Sequence, residues 1–311
     1  NLLLFFLFYE LELIPLWLLI SVWGGVNRAY AATKFLIFTA VSGMLILGAF
    51  LGLALLTGSV DFSLTPVLSD RLAMGGQIVL LGALLVGFGI KIPLVPLHNW
   101  LPDAHTQAST PVSVLLAGVL LKLGGYGFIR FAIPLFPQAA QDFAPLMIAL
   151  SVIAIIYGAL VAIGQTDLKR LIAYTSISHF GFIVLGIFAM TSQGQSGSTL
   201  YMVNHGFSIA ALFLLVGFMA TRRGSRMVAD FGGVQKVAPV LARLFLVAGL
   251  SSLALPGLSS FVSEFLVLAG TGIPDLMIGG QRTAVIRFEW FETNGRQSAQ
   301  ITFNRPGQCQ L

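Results

Sequence analysis

Apolar residues in this chain do not alternate with polar ones; they run in long blocks separated by short polar loops. A helix needs roughly 20 apolar residues to cross the ~30 Å of hydrocarbon in a bilayer. Eight blocks qualify: Leu2–Trp23, Thr33–Leu56, Gly75–Trp100, Pro111–Phe136, Phe143–Gly164, Leu171–Met190, Ser198–Ala220 and Val240–Ala269. Each is expected to be helical, since a lone strand would leave its backbone groups unpaired in lipid. Two blocks carry breakers. Pro93 and Pro96 fall within one turn of the third, and Pro256-Gly257 interrupts the eighth. Proline removes a donor and clashes with the preceding turn, so both helices should break there. From Gly272 to Leu311 the apolar runs stop.

Composition narrows the class. AVILMFWYC residues are 57% of the 311 positions and charged residues 9%, against about 25% charged in a soluble domain. A water-soluble fold is excluded. The net charge of +5 lies in loops between apolar spans, where it points to membrane orientation and not to nucleic acid. Arg28, Lys34, Lys169, Arg170, Arg222, Arg223, Arg226 and Lys236 fall in odd-numbered loops, while Arg71 and the nearby Arg130 belong to even ones. The odd loops are therefore expected on the cytoplasmic side. A single cysteine, Cys309, rules out a disulfide framework and a cysteine-ligated metal. The chain opens at Asn1 inside an apolar run, with no cleavable signal peptide visible, and is read as a fragment.

Charge placed in hydrocarbon costs ~2.5–3.5 kcal/mol per residue or more, so ionisable groups retained there mark candidate sites. Glu10 lies near the middle of the first span and Glu12 two residues on, a spacing that sets them on different faces of a regular helix. Lys91 stands just before the Pro93 break, and Lys122 about halfway along the fourth span. A Glu10–Lys91 ion pair is expected, as a switch that holds both charged until it weakens. His179 and His205 occupy the sixth and seventh spans, accompanied by Thr175, Ser178, Tyr201, Asn204 and Ser208. Histidine suits a proton relay because it titrates near ~6.5. Glu264 follows the second break. Glu10, Lys91, Lys122, His179, His205 and Glu264 are thus the candidate proton-carrying residues. His98 and His105 are spaced wrongly for a metal site, and no metal is expected. Without a Gly-rich nucleotide loop, P-loop or CxxC, the chain is expected to hold no cofactor of its own and to need a partner to drive it.

The stretches KIPLVPLHNWLPDAHTQAST, LLAGVLLKLGGYGFIRF, QTDLKRLIAYTSISHFGF and LPGLSSFVSEF resemble the antiporter-like membrane subunits of respiratory complex I. The opening FFLFYELELIPLWLLISVWGG, with the glutamate of VSEF, narrows the resemblance to the chain M or chain 4 branch. It implies an all-α polytopic bundle with inverted repeats and broken helices, of which about eight transmembrane helices are present. It also implies a proton-translocating subunit of NADH:quinone oxidoreductase in the cell inner (plasma) membrane, a translocase with no redox chemistry in this chain. The resemblance lays the family's key glutamate on Glu10, its paired lysine on Lys91, its central lysine on Lys122, its histidines on His179 and His205, and its terminal glutamate on Glu264. FMN, iron–sulfur clusters and quinone would sit in partner subunits, with neighbouring antiporter-like subunits, the bilayer and protons as direct partners and nucleic acid excluded. Residues 1–270 form the expected transmembrane domain, incomplete at both ends. Residues 271–311 match no family pattern and are read as frameshifted, disordered or an extramembrane tail. Two other readings remain open: a subunit of a multisubunit cation/proton antiporter or membrane-bound hydrogenase, and a non-transporting scaffold with static ion pairs.

Overall fold

The computed structural model describes residues 1–58, 62, 72–272 and the backbone of two strands in the tail. Arg71 and Cys309 lie outside the described residues. The helices are α1 (Leu2–Leu11), α2 (Leu13–Trp23), α3 (Arg28–Thr57), α4 (Met74–Lys91), α5 (Trp100–Gln107), α6 (Thr110–Leu135), α7 (Pro137–Ile163), α8 (Leu168–Phe188), α9 (Ser192–Arg223), α10 (Pro239–Ser252) and α11 (Ser259–Gly270). Among the described residues seven stretches are long and apolar enough to cross a membrane, α1 and α2 together making the first. The eighth span, expected to break at Pro256-Gly257, is two shorter apolar helices, α10 and α11. In the tail, β1 (Val285–Thr293) pairs antiparallel with β2 (Arg296–Asn304), in a register that sets Trp290 opposite Ala299.

Both breaks follow from backbone accounting. Block three was expected to run to Trp100, but its helix stops at Lys91. Pro93 and Pro96 have no N–H to give, and Leu94 N donates back to the Gly89 carbonyl at 2.9 Å. The Ile90 carbonyl, robbed of its helical partner, accepts from the indole Nε1 of Trp100 at 2.9 Å. A buried carbonyl without a partner would be costly, so this tryptophan stabilises the break. At the second break Gly257 adopts φ +91°, a backbone state open to glycine and strained for other residues. Ser251 and Ser259 hydroxyls meet across the gap at 3.0 Å. From α9, the Asn204 amide donates to the Ser259 carbonyl at 2.7 Å and to Ser263 Oγ at 3.1 Å.

The loops after the first, third, fifth and seventh spans gather on one face, as an alternating up-and-down path requires. Gly25 N donates to Gln107 O at 2.8 Å, and Leu168 N to Arg226 O at 3.0 Å. Lys34 pairs with Asp103 at 2.7 Å, Arg170 with Asp103 at 3.7 Å and Arg226 with Asp167 at 3.5 Å. The positive charges assigned to the odd loops thus meet in one region.

Helix α8 is buried along nearly all its length and packs against α5, α7, α9 and α11. Small residues set these approaches, as expected where lipid gives no hydrophobic drive between helices. A Cβ on Gly158 of α7 would lie 2.7 Å from Ser178 N, and one on Gly181 of α8 would lie 2.8 Å from Ser151 O. Where α4 ends against α6, a Cβ on Gly124 would lie 2.8 Å from Phe88 O and 2.9 Å from Ile92 N, both of them backbone atoms. Gly124→Ala is therefore expected to destabilise the chain by about 1–3 kcal/mol through overpacking. Gly82→Ala, whose Cβ meets nothing within 4 Å, should be neutral or slightly stabilising. Thermal unfolding in detergent distinguishes them; equal effects would show that the Gly124 contact does not set the packing.

Candidate functional site

The ionisable residues form two clusters. The first is built where α1, α3 and α4 meet. Lys91 is the last residue of α4 and only 3% exposed. The sequence suggested Glu10 as its partner; the structure pairs its ammonium with Glu12 instead. The ammonium also lies over the Tyr9 ring, 4.4 Å from its centre. Glu10 turns its carboxyl against Gly43 of α3, in space that a side chain at that position would fill. Glu12 keeps helical dihedrals, φ −70° and ψ −22°, and spacing alone does not say which of the two carboxyls reaches the end of α4. Pro15 cannot donate to the Leu11 carbonyl, so the hydrogen-bond ladder is interrupted at Glu12, between α1 and α2.

The second cluster runs from α6 through α8 and α9 to α11. Lys122 sits between two stretches of wide, i→i+5 turns, Leu116–Leu120 and Phe128–Ala132. Such turns are frequent at functional sites. Its ammonium donates to the Ala117 carbonyl and reaches His205 Nδ1 at 2.8 Å. The rings of His205 and His179 lie edge to face with centres 5.3 Å apart. His179 in turn approaches Tyr201 at 5.9 Å. The Tyr201 hydroxyl donates to Glu264 Oε2 at 3.2 Å. His205 Nε2 and His179 Nδ1 are buried with no hydrogen-bond partner among the described residues. Beside His179 an open cavity of about 380 Å³ is lined by Thr175, Ser178, Ser252 and Glu264, with Ile163, Leu171, Phe182 and other apolar side chains. It has room for water, with the hydroxyls of Thr175, Ser178 and Ser252, the His179 ring and the Glu264 carboxyl as its polar partners.

Four of the candidates (Lys122, His205, His179 and Glu264) are thus brought into one line, joined by Tyr201. In the sequence Tyr201 stands only as a companion of His205, and its spacing of four residues from that histidine is the signal available. Lys91 and Glu10 lie apart from this line, and no hydrogen bond or ion pair joins the two clusters among the described residues. Of the other histidines, His98 meets the Tyr157 hydroxyl at 3.3 Å, and His105 stacks on Phe213 at 4.6 Å. No group of three or more His, Cys, Asp or Glu side chains able to hold a metal ion occurs among the described residues.

Residues 1–273 match a family described as NADH:quinone oxidoreductase/Mrp antiporter, transmembrane. The chain belongs to this family. It is a multi-pass membrane protein, 50% identical over 281 residues to NADH-quinone oxidoreductase subunit M of Mycobacterium tuberculosis, which covers 87% of this chain and 51% of that protein. NAD(P)H-quinone oxidoreductase chain 4 of a Picosynechococcus species is 46% identical over 286 residues, covering 92% of this chain and 54% of that one. The chain therefore spans about half the length of the relatives it matches. Its fold matches a chain of respiratory complex I from Thermus thermophilus with a TM-score of 0.82 at 37% identity, over 87% of this chain and 58% of that one. A chain of an archaeal membrane-bound sulfane sulfur reductase, at 24% identity and a TM-score of 0.78, shares the fold.

Outside the spans, burial first, then the positive charges of Lys169 and Lys122, push the His105 imidazole down to about 3. A histidine held neutral in the folded state contributes stability above its unfolded value near ~6.5, which is lost as pH falls from there towards the folded value. By pH 5 the loss from this one group should approach about 2 kcal/mol. His105→Phe is expected to flatten that acid-side decline, as read by thermal unfolding at pH 7 and pH 5. An undiminished decline would mean that other groups carry it.

Proposed function

We propose that this chain is a proton-translocating membrane subunit of an NADH:quinone oxidoreductase, of the chain M or chain 4 type, in the plasma (inner) membrane of a bacterium. The observation that carries the reading is the line from Lys122 through His205, His179 and Tyr201 to Glu264. Identities of 46–50% to subunits bearing that name support it over the sibling cation/proton antiporter or hydrogenase readings. Electron carriers would belong to partner subunits, since the resemblance assigns FMN, iron–sulfur clusters and quinone to them.

The geometry suits a relay. Because Lys122 Nζ lies 2.8 Å from His205 Nδ1, an ammonium there donates to an unprotonated Nδ1, and the tautomer carries its hydrogen on Nε2. Transfer of the Lys122 proton to Nδ1 makes His205 an imidazolium and leaves a neutral amine. Loss of the Nε2 proton towards His179 then restores a neutral ring in the other tautomer. The 380 Å³ cavity beside His179 and Glu264 offers room for water to carry the proton on. Each step breaks one N–H bond and forms another N–H or O–H bond, so no net charge is created in hydrocarbon.

Positioned proton transfer typically contributes 10²–10⁴-fold. Lys122→Ala in the full-length subunit, within the assembled complex, should thus lower translocation through this chain by about a hundredfold or more. Proton uptake into vesicles per NADH oxidised checks it. Unchanged pumping per NADH would sink the reading in favour of a static scaffold.

A further inference from the structure

Glu12 stood outside the set that sequence singled out for proton transfer, yet it is the residue in contact with Lys91. The surroundings make this more than an exchange of one partner for another. Glu10, two residues earlier, has its carboxyl in the same pocket, with Oε1 buried and without a hydrogen-bond partner among the described residues. Tyr9 of α1, Gly43 of α3 and Lys91 of α4 face the two carboxyls. Lys91 is the one cation that acts on either of them among the described residues. The site therefore holds two carboxyls and a single ammonium.

A second buried negative charge with no cation to answer it is costly. Two carboxyl groups sharing such a place accordingly keep a proton between them and titrate as a pair. We infer that Glu12 is the fixed counter-ion of Lys91 while Glu10 is a neutral acid, so that the site stores one releasable proton beside a permanent ion pair. When the Lys91–Glu12 contact opens, Glu10 can take over as the ammonium's partner by breaking its O–H bond and giving the proton to water. The site then passes from neutral to singly negative, and Lys91 is never left unpaired. Glu12 is thus a positioning residue, acting through Lys91 and Glu10.

The use of this store rests on the proposed translocation, but the test does not. The full-length chain in lipid nanodiscs, labelled with carboxyl-13C glutamate, is examined by infrared spectroscopy at neutral pH. Glu12→Gln should lose one protonated-carboxyl band and no ionised carboxylate, because Glu10 must ionise to serve Lys91. Glu10→Gln should give the same difference, because the acid itself is gone, and should leave the frequency of the surviving carboxylate unchanged where Glu12→Gln shifts it; the reverse pattern would make Glu10 the counter-ion and overturn the inference. Lys91→Met reads the site from the other side: one carboxylate should disappear and one protonated carboxyl appear. If Glu12→Gln loses a carboxylate and keeps the acid band, Glu12 is a bystander and the inference is overturned. It is equally overturned if Glu10→Gln removes a carboxylate. Should Glu12→Gln not fold, the Lys91→Met and Glu10→Gln spectra decide alone. These spectra read protonation, so a chain that moves no protons could still show them. A pumping chain without them would remove only the paired site.

Discussion

An ammonium in hydrocarbon must be answered, and the kind of group that answers it decides what the site can do. Lys122 is met by the imidazole of His205 and a backbone carbonyl, not by a carboxylate. A carboxylate partner would pin the charge, since separating a buried ion pair leaves an uncompensated ion behind. Histidine accepts the hydrogen bond as a neutral base and can accept the proton as well, so the same contact that compensates the charge also lets it move. The stretches of wide turn on either side of Lys122 loosen the ladder around it, and the Ala117 carbonyl is free to receive its ammonium.

The fold positions the buried ionisable residues of both clusters through its interruptions. Lys91 ends α4 because prolines follow, and Trp100 returns to satisfy the carbonyl so exposed. Glu264 stands beyond a second break, closed by Gly257 and held to α9 through Asn204. Between these breaks α8 and α9 run unbroken and tightly packed, which fixes His179 and His205. Irregular backbone at membrane depth is tolerable only where protein or a polar cavity meets it. Both breaks meet that condition here, with Asn204, Ser251 and Ser259 at the second and Trp100 at the first.

Much of this was legible in the sequence, for physical reasons. Twenty-residue apolar blocks have one structural outcome in lipid, so the seven spans from Leu2 to Ala220 could be placed, though helix starts lie up to six residues from the block edges and α4 ends nine residues before Trp100. Pro93, Pro96 and Pro256-Gly257 announced the breaks. Loop arginines and lysines anticipated the face where Asp103, Lys34 and Arg170 meet. What could not be read was anything that depends on the rotation of one helix against another. Spacing put Glu10 and Glu12 on different faces, but it could not say which of them the Lys91 ammonium would meet. Tyr201 joins His179 to Glu264 because of how α9 packs on α11, which no local pattern encodes.

The two lysines therefore differ in kind although both are buried and both end in an ammonium. Lys91 faces a carboxylate and an aromatic ring, groups that hold its charge in place. Lys122 faces an imidazole, a group that can take its proton away. A fixed charge and a mobile one, in adjacent helices of low dielectric, must feel each other by Coulomb's law even without contact. When the Lys91–Glu12 contact opens and Glu10 gives up its proton, the site gains a negative charge, which favours a charged, proton-loaded Lys122. Closing the contact and returning the proton to Glu10 removes that charge and favours the proton's departure towards His205 and Glu264. Coupling of this kind needs no hydrogen-bonded bridge between the clusters, only that one of them be able to change partners while the other changes protonation.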